Sequence, residues 1–163
     1  MEDQDFKLFY ETHAKPLWAY VYRLTNDSAS TEDIVQESFI RLLNRDLKLF
    51  TDAQKKSYLY QTATNLFRDS LRKRKHTITW ENLNEYEAPR AVPQDDGIDF
   101  DKAFERLTPQ HRALLWMAYA EGYSHEEIAT TLDLKTSSVK VLLFRAKKKM
   151  TDILNELGLT GEV

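Results

Sequence analysis

Between Lys135 and Lys149 the chain carries six bases (Lys135, Lys140, Arg145, Lys147, Lys148, Lys149) and no acid, a local charge of +6. At helical spacing Lys140, Phe144 and Lys148 share one outward face, bordered by Arg145. Arg and Lys can read guanine edges, and Phe can touch a thymine methyl. Ser137 and Ser138 stand where such a helix starts, and backbone N–H groups there meet phosphates. Lys147 to Lys149, taken alone, equally describe a solvated helix end that complements the helix dipole. The whole unit favours DNA. A second basic cluster runs from Arg68 to Lys75, with five bases (Arg68, Arg72, Lys73, Arg74, Lys75) against Asp69. Aromatics lie nearby at Phe50, Tyr58, Tyr60, Phe67 and Trp80. Cations beside accessible rings suit single-stranded DNA, because bases stack on rings while cations meet phosphates. Tyr58 and Phe67 fall on an apolar stripe and read as core, which leaves Phe50 and Tyr60 freer for function. Arg68 and Arg72 could equally pair with Asp69 or solvate a helix end.

Catalytic chemistry has little to work with. The four His residues (His13, His76, His111, His125) are scattered without metal-ligand spacing. There is no phosphate-cradling Gly loop and no nucleophile elbow. The chain has no Cys among 163 residues, which excludes disulfides, Cys-based zinc sites and thiol nucleophiles and fits a cytoplasmic address. The expectation is a protein that is not an enzyme and needs no cofactor or metal.

These groups must be positioned by helices. Phe6 to Tyr22 is apolar-rich, and Pro16 suits a helix start rather than a helix middle. Asn26-Asp27-Ser28 reads as a turn, and Ser30 with Asp33 resembles a capping pair. The next stripe is Ile34, Val35, Phe39, Leu42 and Leu43, with Ser38. A long helix follows from about Ala53 to Lys75. Its buried stripe is Tyr58, Leu59, Ala63, Leu66, Phe67 and Leu71, with Thr62 and Ser70. Its opposite face carries Gln61, Thr64, Asn65, Arg68 and Arg72. A bundle of about four helices is expected for this N-terminal part. In the C-terminal part, Thr108-Pro109 starts a helix that Gly122 ends. Ser124 to Glu127 is a capping box. Asp133-Leu134-Lys135 is a short turn, and Thr136 or Ser137 caps a longer basic helix burying Val139, Leu142, Leu143, Ala146 and Met150. Two helices joined by such a turn, about Ser124 to Phe144, describe a helix-turn-helix.

The net charge of −3 speaks against nucleic acid only as an average. Glu81 to Glu105 holds eight acids against Arg90 and Lys102, a local −6, and contains Pro89, Pro93 and Gly97. It reads as a flexible linker between two basic-ended modules. The predicted fold is therefore all-α, with two small helical domains joined by an acidic linker. Gly158 to Val163 reads as a frayed tail. No apolar run approaches the ~18 residues of a membrane helix, and no secretory signal opens the chain, so no membrane insertion is expected.

At this point the residues resemble a known family. EDIVQESFIRLL (Glu32–Leu43) resembles the polymerase-binding segment of bacterial extracytoplasmic-function (ECF) sigma factors. SYLYQTATNLFRDSLRKRK (Ser57–Lys75) resembles their promoter-melting and −10-reading helix. LTPQHRALLWMAYAEGYSHEEIATTLDLKTSSVKVLLFRAKKKM (Leu107–Met150) resembles their −35-reading domain. The resemblance implies a region 2 domain over 1–76, a linker over 77–100 and a region 4 domain over 101–157. It implies core RNA polymerase as partner. Asp33, Gln36, Glu37 and Arg41 would face the clamp coiled coil of its largest subunit, and region 4 would meet the flap. Glu37 and Arg41 could also be a plain i,i+4 pair. The loop Asp46–Lys56, Phe50, Tyr60, and the face with Gln61, Asn65, Arg68 and Arg72 would open and read the −10 element. Lys135, Ser137, Ser138, Lys140, Phe144, Arg145 and Lys148 would read the −35 element. The acidic linker would thread toward the polymerase cleft and RNA exit channel. An anti-sigma protein would be a further partner.

Some positions depart from the family pattern. Asp133 stands where Gly is usual, and Asp tolerates left-handed geometry better than most residues. Ser137-Ser138 replaces Gly-Thr. Val141-Leu142 replaces Ser-Arg, which implies a less polar −35 readout. Two other function classes bear comparison. One is a stand-alone helix-turn-helix regulator whose N-terminal bundle senses or dimerises; the other is a helical enzyme. The Glu32–Leu43 motif and the acidic linker favour the sigma factor over the regulator, and the lack of catalytic motifs disfavours the enzyme.

Overall fold

The computed structural model describes residues 3–46, 48–74 and 99–158. Most of the stretch read as a linker (77–100), the last basic residue of the Arg68–Lys75 cluster, Trp80 and the tail beyond 158 lie outside the described residues. The architecture is all-α, in two helical units, and no strand occurs among the described residues. The N-terminal unit holds three described helices rather than four: α1 (Asp3–Thr25), α2 (Ser28–Leu43) and α3 (Asp52–Arg74). The C-terminal unit holds α4 (Asp99–Glu105), α5 (Pro109–Leu115), α6 (His125–Leu132) and α7 (Thr136–Glu156). α4 begins inside the stretch read as linker.

Pro16 sits inside α1, contrary to the reading that places it at a helix start. A proline there removes one backbone hydrogen bond and crowds the preceding turn. Burial overrides it. Leu17, Tyr20, Val21 and Leu24 follow at helical spacing and are almost completely enclosed. Asn26 then takes a left-handed φ of 54°, which turns the chain for α2. Asp27 caps α2, accepting from the Ser30 backbone N–H at 2.9 Å and from the Ser30 hydroxyl at 2.6 Å. The cap is thus Asp27, and the Ser30–Asp33 pair lies one turn inside the helix. Leu43, placed on the buried stripe by periodicity, is 45% exposed beside Ile40, and its neighbour Leu42 takes the buried position of that last turn. Thr51 and Gln54 cap α3 reciprocally: Gln54 N–H donates to Oγ1 of Thr51 at 3.1 Å, and Thr51 N–H to Oε1 of Gln54 at 2.9 Å.

The C-terminal unit follows its local signals more closely. Thr108 caps α5 with Pro109 at the first turn. α5 runs into a single π turn (Trp116–Ala120), after which Gly122 adopts φ 69° and releases the chain. Ser124 and Glu127 form the full capping box of α6. Asp133 takes the left-handed conformation expected of it, at φ 57°. α7 is capped at Lys135 with no side-chain hydrogen bond, so neither Thr136 nor Ser137 serves as its cap. Val139, Leu143, Ala146, Met150 and Ile153 form the buried stripe of α7.

The two units pack on each other. α3 lies against α2 and α1 on one side and against α6 on the other; α1 also meets α5. The contacts with α1 and with the C-terminal unit together explain why Thr64, expected on the open face of α3, and Tyr60, expected to be free for function, are fully buried. The Tyr20 and Thr64 hydroxyls share a 2.7 Å hydrogen bond, and Thr64 also donates to the Tyr60 carbonyl at 2.8 Å. Arg112 closes the joint. Its Nη1 donates to the carbonyls of Glu105 (3.0 Å) and Leu107 (2.9 Å), and its Nη2 to the carbonyl of Leu24 (3.2 Å), 88 positions away. Burial brings its pKa down to about 10, against a smaller opposing pull from Glu105. It stays charged at any physiological pH.

Two tests follow from this packing. Arg112→Met leaves three carbonyls without their donor, at roughly 1–3 kcal/mol for each buried group. Urea unfolding should show a loss of about 3 kcal/mol, and Arg112→Lys should recover only part, since an ammonium cannot fork to several acceptors. Wild-type stability in Arg112→Met would remove Arg112 from this role. The second concerns half-buried histidines. His13 is lowered from 6.5 by burial, then by Lys56, against Asp52 and Glu121; His111 is lowered by burial and then by Lys149. Below about 6.5 the unfolded chain takes up protons that the folded rings still refuse, so stability falls as pH drops through that window. Urea midpoints should decline from about pH 7.5 to about pH 5.5, and the decline should be shallower in His13→Gln with His111→Gln. An unchanged slope in the double variant would assign the effect elsewhere.

Candidate nucleic-acid interface

α7 builds the most exposed basic surface among the described residues. Its buried stripe faces α5 and α6, which turns the opposite side outward. Ser137, Lys140, Arg145 and Lys148 are exposed there, Phe144 is 67% exposed, and Ser138 is half-buried at the first turn. Lys135, at the cap, is also exposed. Lys147 leans over the ring of Tyr119 at 5.3 Å, so part of the lysine run covers an aromatic edge rather than only solvating a helix end. The unusual pair Val141-Leu142 splits. Leu142 is half-buried against the core, whereas Val141 is 49% exposed in the row with Ser137, Phe144 and Lys148.

α3 presents a more divided picture. Asn65 and Arg72 are exposed, and Gln61 is half-buried. Arg72 pairs with Asp69 at 2.7 Å, one of the alternatives left open by the sequence. Arg68 turns toward the other unit, and its Nη2 donates to the carbonyl of Leu132 at 2.9 Å. Tyr60, expected to be free for stacking, is enclosed. Its ring meets Tyr20 at 5.4 Å and Tyr123 at 6.1 Å, and its hydroxyl donates to Oε2 of Glu121 at 3.1 Å. Burial, and then the Glu121 charge, push its pKa far up. Phe50 is half-buried against the core. In this arrangement the Tyr60 ring is not open for a base, because the turn before α6 covers it, and Phe50 is only partly accessible. The segment Asp46–Lys56 is only partly loop: from Asp52 on it is helical. Leu49 within it is 95% exposed, a feature that sequence patterning passed over.

On α2, Asp33, Gln36 and Arg41 are exposed, and Glu37 and Arg41 form the i,i+4 pair at 3.0 Å. Gln36 lies beside this pair. Ile40 and Leu43 stand open next to it, at 50% and 45% exposure. A surface of one carboxylate–guanidinium pair, an amide and two aliphatic side chains is suited to a protein partner rather than to DNA.

Several of the residues that hold the units together, Glu121, Arg23 and Arg112 among them, were not singled out by the sequence. Glu121 has a side chain only 10% exposed and receives Lys56 at 3.1 Å as well as the Tyr60 hydroxyl. Lys56 sits over the rings of Tyr123 (5.1 Å) and Tyr60 (5.7 Å). Arg23 stacks on Trp116 at 5.2 Å and approaches Asp101 at 3.9 Å. The buried side-chain atoms without a hydrogen-bond partner among the described residues include the Tyr123 hydroxyl, the Trp116 indole N–H and Nε of Arg112. No three His, Asp or Glu side chains among the described residues gather as a metal-binding group, and no helix there is long and apolar enough to cross a membrane.

Comparison with known proteins matches both units. The Sigma-70 region 2 model matches residues 9–77, and the Sigma-70 region 4 model matches residues 98–150. The chain is 29% identical to the ECF RNA polymerase sigma factor SigL of Mycobacterium tuberculosis, over 94% of this chain and 91% of that protein. It is 32% identical to SigE of Mycolicibacterium smegmatis, over 87% of this chain and 58% of that protein. It is 26% identical to SigX of Bacillus subtilis, over 99% and 91%. Among solved structures, the sigma factor RpoE of Bartonella quintana, in complex with the anti-sigma factor NepR, shares the fold with a TM-score of 0.72 and 22% identity, over 93% of this chain and 98% of that one. With both regions matched in order and full-length relatives on either side, this chain belongs to the ECF group of the sigma-70 family of RNA polymerase sigma factors.

Proposed function

We propose that this chain binds core RNA polymerase through the α2 surface around Asp33, Gln36, Glu37 and Arg41, with region 4 meeting the flap, and directs it to promoters by reading two DNA elements. α7 reads the −35 element with Lys135, Ser137, Ser138, Lys140, Phe144, Arg145 and Lys148. α3 and the segment before it open and read the −10 element with Phe50, Tyr60, Gln61, Asn65, Arg68 and Arg72. The chain supplies specificity and no catalysis of its own, and it acts in the cytoplasm. An anti-sigma protein is a further partner in this reading, as RpoE has in NepR. The observation that carries the proposal is the outward face of α7, basic, free of acids and set on a helix-turn-helix.

The packed arrangement bears on how this works. The two elements lie about 25 base pairs apart, roughly 85 Å along a duplex at 3.4 Å per step. In the packed chain α3 and α7 are separated only by α6, a helix of about 10 Å. The units must therefore part before both elements are engaged. Parting breaks the Lys56–Glu121 pair, the Arg68–Leu132 and Arg112–Leu24 hydrogen bonds, and the Arg23–Trp116 stack. It returns Arg68 and the outer edge of Tyr60 to solvent, on the side the −10 strand would use. It also hydrates the Tyr123 hydroxyl and the Trp116 indole N–H, which recovers part of the cost.

Run-off transcription with purified core polymerase tests the function. The chain should co-purify with core and confer promoter-specific initiation. Lys140→Glu with Arg145→Glu should abolish −35-dependent transcripts while core binding persists. Gln36→Ala with Glu37→Ala should weaken core binding at least several-fold. Failure to associate with core, or initiation without promoter preference, would defeat the reading. Parting is measured separately. Because the chain lacks Cys, dyes can be placed at Lys15→Cys and Asp152→Cys without background labelling. Energy transfer should be high in the free protein, should fall on adding core, and should fall without core in Glu121→Lys, where two cations face each other. A Glu121→Lys protein that keeps wild-type transfer would show that this pair does not hold the units.

A further inference from the structure

Val141 and Phe144 sit one turn apart near the middle of the outward face of α7, 49% and 67% exposed. Ser137 and Lys148 continue their row, and Lys140 and Arg145 flank it, all of them exposed. A solvated helix face has no use for two adjacent apolar side chains, since each leaves nonpolar surface in water. Their neighbour Leu142 turns inward against the core, so Val141 is not held out by a lack of room for apolar groups inside. The face carries bases and no acid from Lys135 to Met150, a charge pattern complementary to a phosphate-lined surface and unsuited to an apolar or basic protein partner. In a major groove the apolar group available to such a pair is the C5-methyl of thymine.

We infer that Val141 and Phe144 are specificity-determining residues that select thymine at neighbouring base pairs of the −35 element by packing on the thymine methyls. The inference rests on the reading of α7 as the −35 helix and goes beyond it in assigning a base preference to Val141. Three residues of helix rise about 4.5 Å, close to the 3.4 Å step of a duplex, so the two side chains address adjacent or next-adjacent pairs. Lys140 and Arg145 supply the phosphate or guanine contacts on either side. Val141 itself makes no hydrogen bond through its side chain, so its preference must vanish when the methyl is removed.

The test uses the full chain bound to core polymerase. Duplexes randomised across the −35 region are selected by binding, and the selected site is then remade with each thymine replaced in turn by uracil, which lacks only the C5-methyl. Thymine should be enriched at two neighbouring positions. Uracil at either should weaken binding about fourfold, the value of one buried methyl group. Val141→Ser should abolish the thymine–uracil difference at one position and leave the other intact, and Phe144→Ala should do the reverse. Affinity for core should be unchanged in both. Selection of a −35 sequence that is indifferent to uracil would overturn this inference while leaving the −35 role of α7 standing. Absence of any −35 selection would remove both. Loss of core affinity in Val141→Ser would assign the apolar pair to the polymerase instead.

Discussion

The guanidinium of Arg112 is the point on which the arrangement of the two units turns. It is buried, charged and shared by three carbonyls, two from the corner between α4 and α5 and one from the end of α1. Both terminal nitrogens donate while Nε is buried without a partner, and a charge in that position is tolerated only while most of its donors are used, since an unpaired buried ion is among the most expensive things a fold can contain. Two of the three carbonyls belong to the corner between α4 and α5, so Arg112 shapes the C-terminal unit whether or not the units touch. The third belongs to the end of α1. Arg112 thus couples the internal corner of one unit to its seat on the other, and the loss of the Leu24 contact on parting leaves the corner still supported.

The rest of the contact between the units combines apolar and polar parts. Its apolar part is continuous with one buried core that runs through both units, and its polar part is mixed: a nearly buried ion pair, a tyrosine–carboxylate hydrogen bond, a cation over two rings, and buried polar atoms without hydrogen-bond partners, the Tyr123 hydroxyl and the Trp116 indole N–H among them. Interfaces that form once and remain closed usually satisfy such atoms. A joint that alternates between contact and hydration can leave them, because water serves them in the other state. Part of the surface proposed for the −10 strand, Tyr60 and Arg68, is engaged by the other unit, while Asn65 and Arg72 stay exposed, so on that proposal closure competes with full engagement of the strand by α3.

Local signals were legible in the sequence where neighbours along the chain decide the outcome. The Thr108 cap, the capping box at Ser124 and the left-handed Asp133 each depend on two to four consecutive residues. So does the outward face of α7, since a helix with a buried stripe must turn its bases to the other side. Pro16 within α1 and the burial of Tyr60 and Thr64 were not legible, for one reason. Each is set by residues far along the chain: the enclosed stripe from Leu17 to Leu24, and α6 lying across a face of α3 that patterning alone marks as polar. The pairing of Lys56 with Glu121 is likewise invisible to any periodicity. The Asp27 cap was missed because the turn residues Asn26-Asp27-Ser28 were read as a turn and not also as a helix start, although one Asp can serve both.

The long span of the joint has a consequence during synthesis. Arg68 must wait 64 residues for the Leu132 carbonyl, and Leu24 must wait 88 for Arg112. At about 5–20 residues per second the first interval alone lasts roughly 3–13 seconds. For most of it α3 is fully synthesised while the second face of that helix has no partner yet made. A newly made chain therefore passes through the parted state before it can ever reach the closed one, and any partner that recognises the bare face has its first opportunity at the ribosome.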